Sequence, residues 1–194
     1  MIDVQQAFDD SRWGVRNQPR CEENVAALIR AWRTHRAPIV HVRHRSTAPE
    51  GLFRGDGIEF KAEAMPAAGE PIVEKTVNSA FIGTKLETML RAQGANAIVI
   101  AGLTTDHCWS TTARMAANLG FHTTVVSDAT ATFGRATPDG RWFDADTMHL
   151  TALASLAGEF AEVVDTATAV SQLAGSPELA RAKSGSRKPT GEGR

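Results

Sequence analysis

Between Ala97 and Cys108 the chain runs from five apolar residues, Ala97-Ile98-Val99-Ile100-Ala101, through a polar turn, Gly102 to His107, into the start of a helix. An apolar run of strand length without alternation is the kind buried on both faces of a parallel sheet. A parallel sheet needs crossover helices, and the flanking sequence supplies them. Glu22 to Arg36 carries Val25, Leu28, Ile29 and Trp32 at i, i+3, i+4 and i+7, an amphipathic helix that stops at Ala37-Pro38. Ile39 to Val42 predicts a strand, Arg45 to Gly69 a long surface loop, and Ile72 to Lys75 another strand. Loops that long in compact domains are usually functional or disordered. Thr84 to Gln93 predicts a helix closed by Gly94. Beyond the central run, Cys108 to Leu119 predicts a helix, Phe121 to Ser127 a strand and Asp128 to Asp144 a second long loop. A helix over Ala145 to Leu156, a strand over Ala161 to Val164 and a short helix over Ala167 to Leu173 complete the pattern. With no internal repeat, this alternation implies an α/β fold: a doubly wound, mostly parallel β-sheet with helices on both faces, in three layers.

Composition narrows the function classes. The 194 residues, 42% hydrophobic and 22% charged, suit one globular domain, which we place at residues 1–175. Residues 176–194, with five basic and two acidic side chains and little apolar content, read as a disordered basic tail. A net charge of −1 favours neither nucleic acid nor an anionic membrane. No apolar run approaches the roughly 20 residues that span a bilayer, and Met1-Ile2-Asp3 has no signal-peptide character. Two cysteines make no disulfide framework, so a cytoplasmic protein is expected. The first strand begins at Met1 and leaves Asp3 poorly anchored; either the chain is shorter than its relatives or its start lies upstream.

Cys108 carries the most chemistry. It follows a strand and a tight turn and opens a helix, where the N-terminus favours a thiolate and free N–H groups offer an oxyanion site. A small buried apolar cysteine would also suit such a position, and that is the role assigned to Cys21. Asp3 and Lys75 end their own strands, and ligands of open α/β sheets bind beyond the carboxyl ends of strands. Taken singly, Asp3 could be a turn cap and Lys75 a surface charge. Together with Cys108 they make a set, a carboxylate to take the thiol proton and an ammonium to favour anions.

These residues resemble the isochorismatase-like cysteine hydrolases, from Ile2 to about Ala169. The resemblance rests on Ile2-Asp3-Val4-Gln5 with Phe8, Glu74-Lys75 followed by Asn78-Ser79-Ala80-Phe81, Gly102 to Cys108, and Asp128-Ala129. It implies an Asp-Lys-Cys triad at Asp3, Lys75 and Cys108. It also implies a cis peptide between Leu103 and Thr104, with the Thr104 and Cys108 N–H groups as the oxyanion hole. The implied reaction is acyl transfer through a thioester, on an amide, ureide or lactam bond of a small molecule. Relatives that cleave the vinyl ether of isochorismate lack the cysteine, so Cys108 favours the amide class, with an ether hydrolase as the alternative reading. A member that has lost catalysis and serves in binding or assembly is another. A nucleotide-binding or redox domain lacks support, because G-x-G-x-x-G, G-x-x-x-x-G-K-[ST] and C-x-x-C segments are absent.

Nicotinamidases of this superfamily bind zinc through an Asp-x-His pair. Here the stretch reads Val42-Arg43-His44-Arg45, so no metal and no cofactor is expected. Phe8, Trp13, His44, Phe81, Trp109 and Phe133 are the candidates for substrate binding, each with core packing as the plain alternative. Arg43, Arg45 and Arg54 could meet a substrate carboxylate or simply face water. The resemblance also implies a homo-oligomer.

Overall fold

The computed structural model describes residues 1–175, so the expected tail lies outside the described residues. Helix α1 spans Cys21–His35 and ends where Arg36 turns left-handed two residues before Pro38. Strands β1 (His41–His44) and β2 (Ile72–Lys75) pair in parallel, with His44 level with Lys75. Then come α2 (Leu86–Ala92), β3 (Ala97–Ile100), α3 (Cys108–Asn118) and β4 (His122–Val126). A small hairpin, β5 (Arg135–Ala136) and β6 (Trp142–Phe143), precedes α4 (Ala145–Leu156), β7 (Glu162–Val164) and α5 (Thr166–Gly175). Strands β3, β4 and β7 are parallel neighbours. Ile2 joins them to β1 and β2, bridging Val42 on one side and Gly102 on the other, both in parallel. The sheet order is therefore β2, β1, the Ile2 segment, β3, β4, β7.

The strand alternation sorts side chains into two cores. On one face, Val25, Leu28 and Ile29 of α1 and Ala169 of α5 pack with Val4, Leu103 and Val126. On the other, Leu86 and Leu90 of α2, Ala113 and Ala116 of α3 and Leu156 of α4 pack with Ile2, Val42, Ile100 and Val125. Each aliphatic side chain so buried contributes about 1.5–3 kcal/mol. The fold is the three-layer α/β sandwich expected. No helix among the described residues is long and apolar enough to cross a membrane.

Two local expectations change. Strand β1 starts two residues later than its apolar run, because Pro38 has no N–H and sheet pairing begins where His41 N donates to Pro71 O at 2.9 Å. The loop at 128–144 contains the β5–β6 hairpin, whose two-residue strands are too short to show a period. It closes over Gly134, where an added Cβ would meet the Trp142 ring at 2.2 Å.

Candidate active site

Three chain segments end at one place. Lys75 is the last residue of β2, Asp3 follows Ile2, and Cys108 is the first residue of α3. Lys75 Nζ lies 2.6 Å from Asp3 Oδ2, and neither side chain is exposed. Cys108, half-buried, places its sulfur within 4.8 Å of an Asp3 carboxylate oxygen, where the charges of both Asp3 and Lys75 act on the thiol. Lys75 Nζ also reaches His44 Nδ1 at 3.2 Å. The Ile2 segment is stitched into place from both sides. Asp3 N donates to Val42 O at 2.9 Å, and Leu103 N donates to Ile2 O at 2.8 Å. Gly102 makes this close passage possible: its φ is 121°, and a Cβ there would sit 1.9 Å from Ile2 O. Asp3 itself has φ 49°, a left-handed conformation costing about 1–3 kcal/mol in a residue other than glycine. The peptide bond between Leu103 and Thr104 is cis. No side chain caps the N-terminus of α3 at His107.

The electrostatics follow from burial. The ammonium approaches Asp3 Oδ2 closely but off the line a hydrogen bond prefers, so both carboxylate oxygens lack a well-aligned donor. Burial pushes the Asp3 carboxyl up, and Lys75 pulls against it. Burial, then the Asp3 charge, pushes the Cys108 thiol up to about 12. A helix N-terminus alone predicts a lowered thiol; here the buried carboxylate beside the sulfur and the loss of solvent outweigh it. Burial and then Lys75 hold His44 down at about 4, so its ring is neutral. Because an ammonium only donates, Nδ1 is the acceptor and the ring proton sits on Nε2.

The aromatic candidates divide. Phe8, Trp13 and Phe133 form one cluster, with ring centres 5.2 to 6.2 Å apart. Phe53 joins it at 5.1 Å from Phe8 and stands 5.0 Å from the His44 ring, linking the cluster to the charged group. The loop reading gave no reason to choose Phe53. Trp109, by contrast, is fully buried in the second core with its Nε1 donating to Ile100 O, so it is a packing residue. Helical geometry turns its side chain away from that of the adjacent Cys108. Phe81 stacks on Phe121 beside α2, a packing position as well. Gln5, of the Ile2-Asp3-Val4-Gln5 segment, is structural: fully buried, it accepts from His44 N and donates to His44 O and Ile58 O, fixing the end of β1. The three arginines are already engaged. Arg43 and Arg45 pair with Glu74, and Arg54 donates to Ala48 O.

Asp3, His44 and Cys108 present ligand atoms within 4.8 Å of one another. The Lys75 ammonium already rests against the first two, filling the cation position with a fixed charge. The Asp-x-His zinc pattern has Val42, a buried core residue, at its carboxylate position. The donor set therefore does not fit a resident metal.

The model of the Isochorismatase domain matches residues 1–168. An uncharacterised isochorismatase family protein of Bacillus subtilis is 44% identical over 168 residues, covering 86% of this chain and 90% of the relative. Maleamate amidohydrolase of Pseudomonas putida is 32% identical over 143 residues, covering 66% and 67%. Among solved structures, an isochorismatase-family protein from Chromobacterium violaceum superposes with a TM-score of 0.87 at 42% identity, covering 90% of this chain and 92% of that one.

Proposed function

The chain belongs to the isochorismatase family of hydrolases, and from that premise we propose that it is a cysteine amidohydrolase acting on a small amide, ureide or lactam. One observation carries the reading: the Lys75 ammonium lies against the Asp3 carboxylate at 2.6 Å, and the Cys108 sulfur at the start of α3 stands within 4.8 Å of that carboxylate. In the resting site the proton is on sulfur and the negative charge on Asp3. Transfer of that proton from Sγ to the carboxylate moves the charge between two positions that both touch Nζ, so the ammonium stays compensated throughout. The thiolate attacks the substrate carbonyl while the N–H groups of Thr104 and Cys108 receive the oxyanion. Asp3 returns its proton to the leaving amine, and water, deprotonated by Asp3, hydrolyses the thioester. The naming of maleamate amidohydrolase among the relatives supports the amide class. The aromatic cluster of Phe8, Trp13, Phe53 and Phe133 beside His44 supplies an apolar wall.

A panel of small amides, ureides and lactams, read by released ammonia or amine, tests this. Turnover should come with a Cys108 acyl adduct visible by mass spectrometry after rapid acid quench. Cys108→Ala should lose ~10⁴-fold or more in kcat/KM, and Asp3→Asn about 10²–10⁴-fold. Amide turnover that survives Cys108→Ala would sink the proposal.

A further inference from the structure

The two residues ahead of Cys108 are held from outside their own turn. Asp106 and His107 end the polar turn between β3 and α3, and one side chain, Arg135 of the β5–β6 hairpin, binds them both. Arg135 Nε donates to Asp106 Oδ2 at 2.5 Å, and its Nη2 donates to His107 Nδ1 at 2.8 Å. Thr132 donates its hydroxyl to the other oxygen of Asp106. A guanidinium only donates, so the His107 ring accepts through Nδ1 and carries its proton on Nε2. Burial holds that imidazole below its usual pKa, with Asp106 raising it and Arg135 lowering it. The segment that carries Arg135 is itself fixed. Asn17 Oδ1 accepts from Thr132 N at 2.8 Å, Phe133 bridges Arg16, and a Cβ on Gly134 would strike the Trp142 ring. What this grip restrains is the peptide plane between His107 and Cys108, which carries the Cys108 N–H. The ψ of His107 sets how that plane turns. His107 has φ −121° and ψ −105°, outside the helical and the extended ranges, so no regular element sets the angle.

We propose that Arg135 is a positioning residue for acyl transfer: by gripping Asp106 and His107 together it fixes the peptide that aims the Cys108 N–H at the oxyanion. This role rests on the amidohydrolase reading, because an N–H so aimed matters only where a carbonyl oxygen gains charge. Compensating the Asp106 charge would need any cation. Holding a carboxylate and a neighbouring imidazole in one arrangement needs the rigid fork of a guanidinium. The charges that act on the Cys108 thiol are those of Asp3 and Lys75. Arg135 therefore works on the geometry of the oxyanion donor, leaving the ionisation of the sulfur to that pair. Its place in the chain also ties the donor to the apolar wall. Phe133, two residues before Arg135, stacks on Phe8 and Trp13, so one short segment carries both a wall of the site and the grip on its N–H.

Two reagents separate the geometry of the donor from the reactivity of the sulfur. p-Nitrophenyl acetate acetylates a thiol through an oxyanion: the S–C bond forms, the thiol proton passes to Asp3, and p-nitrophenolate leaves. Iodoacetamide alkylates the same sulfur by displacing iodide, and no oxyanion forms. Both reactions are followed at Cys108 by mass spectrometry at one pH. Arg135→Met, and Arg135→Lys, which offers Asp106 a cation but no fork to hold His107 as well, should slow acetylation about 10–10²-fold. Alkylation should continue at the wild-type rate in both. Arg141→Met, which removes only the exposed pair with Asp139, should change neither reaction. Acetylation of Arg135→Lys at the wild-type rate would mean that Arg135 merely compensates the Asp106 charge, and overturns the proposal. So does a parallel fall in both reactions, the mark of a disturbed thiol or fold. If the wild type is alkylated at Cys108 but never acetylated there, the amidohydrolase reading fails and this role with it.

Discussion

Lys75 holds a fully buried ammonium against a carboxylate, a neutral imidazole and a thiol. Removing either charge of the Lys75–Asp3 pair leaves the other stranded, at a cost of about 3–5 kcal/mol. Lys75→Met and Asp3→Asn should each lower the urea midpoint strongly, and the double variant should be more stable than either single one. Strict additivity of the two changes would mean that the charges do not interact. His44 and Gln5 show how differently single residues read. His44 is a chemical side chain wherever it stands, so the sequence alone marks it as a candidate. The role of Gln5 is three hydrogen bonds to backbone brought together from His44 and Ile58, and no local pattern carries that. Phe53 is similar, an aromatic residue in a loop until folding sets it against His44 and Phe8.

At the scale of the element, the turn from β3 into α3 combines one steric demand with one chemical position. Gly102→Ala should cost roughly 3 kcal/mol or more, since the new methyl group would collide with Ile2 O. Gly94→Ala, at another positive φ but in open space, should cost about 1 kcal/mol. Chemical melts of the two variants compare them directly, and equal losses would remove the special role of Gly102. Helix α3 begins at Cys108 as its sequence predicts, because Ala97 to Ala101 and the polar turn leave no other place to start. Strand β1 was legible only to within two residues, since its boundary depends on where Pro71 O arrives.

Across the whole molecule the titrating groups act mostly in one direction below neutral pH. Burial lowers the Met1 amine from 8.0 to about 6 and His44 from 6.5 to about 4. In each window the unfolded chain binds the proton first, so stability falls as pH drops from 8 to 6 and again from 6.5 to 4. Glu22 and Glu70 are held down at about 2 from 4.5, mainly against burial by Arg16 and Lys61 for the first and by Arg33 for the second. Their contribution is lost as pH falls from 4.5 to 2. Asp3 works the other way, because its raised carboxyl binds a proton more readily in the fold. Cys21 and Cys108, both pushed up to about 12 from 9.0 mainly by burial, cost stability as pH rises above 9. The melting temperature should therefore peak near pH 8–9, and acetylating the Met1 amine should flatten the slope between 6 and 8. An unchanged slope after acetylation would remove Met1 from the account.

Local and periodic features are legible in the residues alone: the strand and helix order, the parallel sheet implied by Ala97 to Ala101, and the placing of Asp3, Lys75 and Cys108 at segment ends. These follow from side-chain spacing and turn chemistry, which act within a few residues. The tertiary structure decided what depends on distant segments meeting. It buried Cys108, with a carboxylate beside it, and so raised a thiol that a helix N-terminus alone would lower. It turned Trp109 into the core and brought Phe53 to His44. Burial and charge proximity are properties of the packed molecule, because each depends on which parts of the chain displace water from the others.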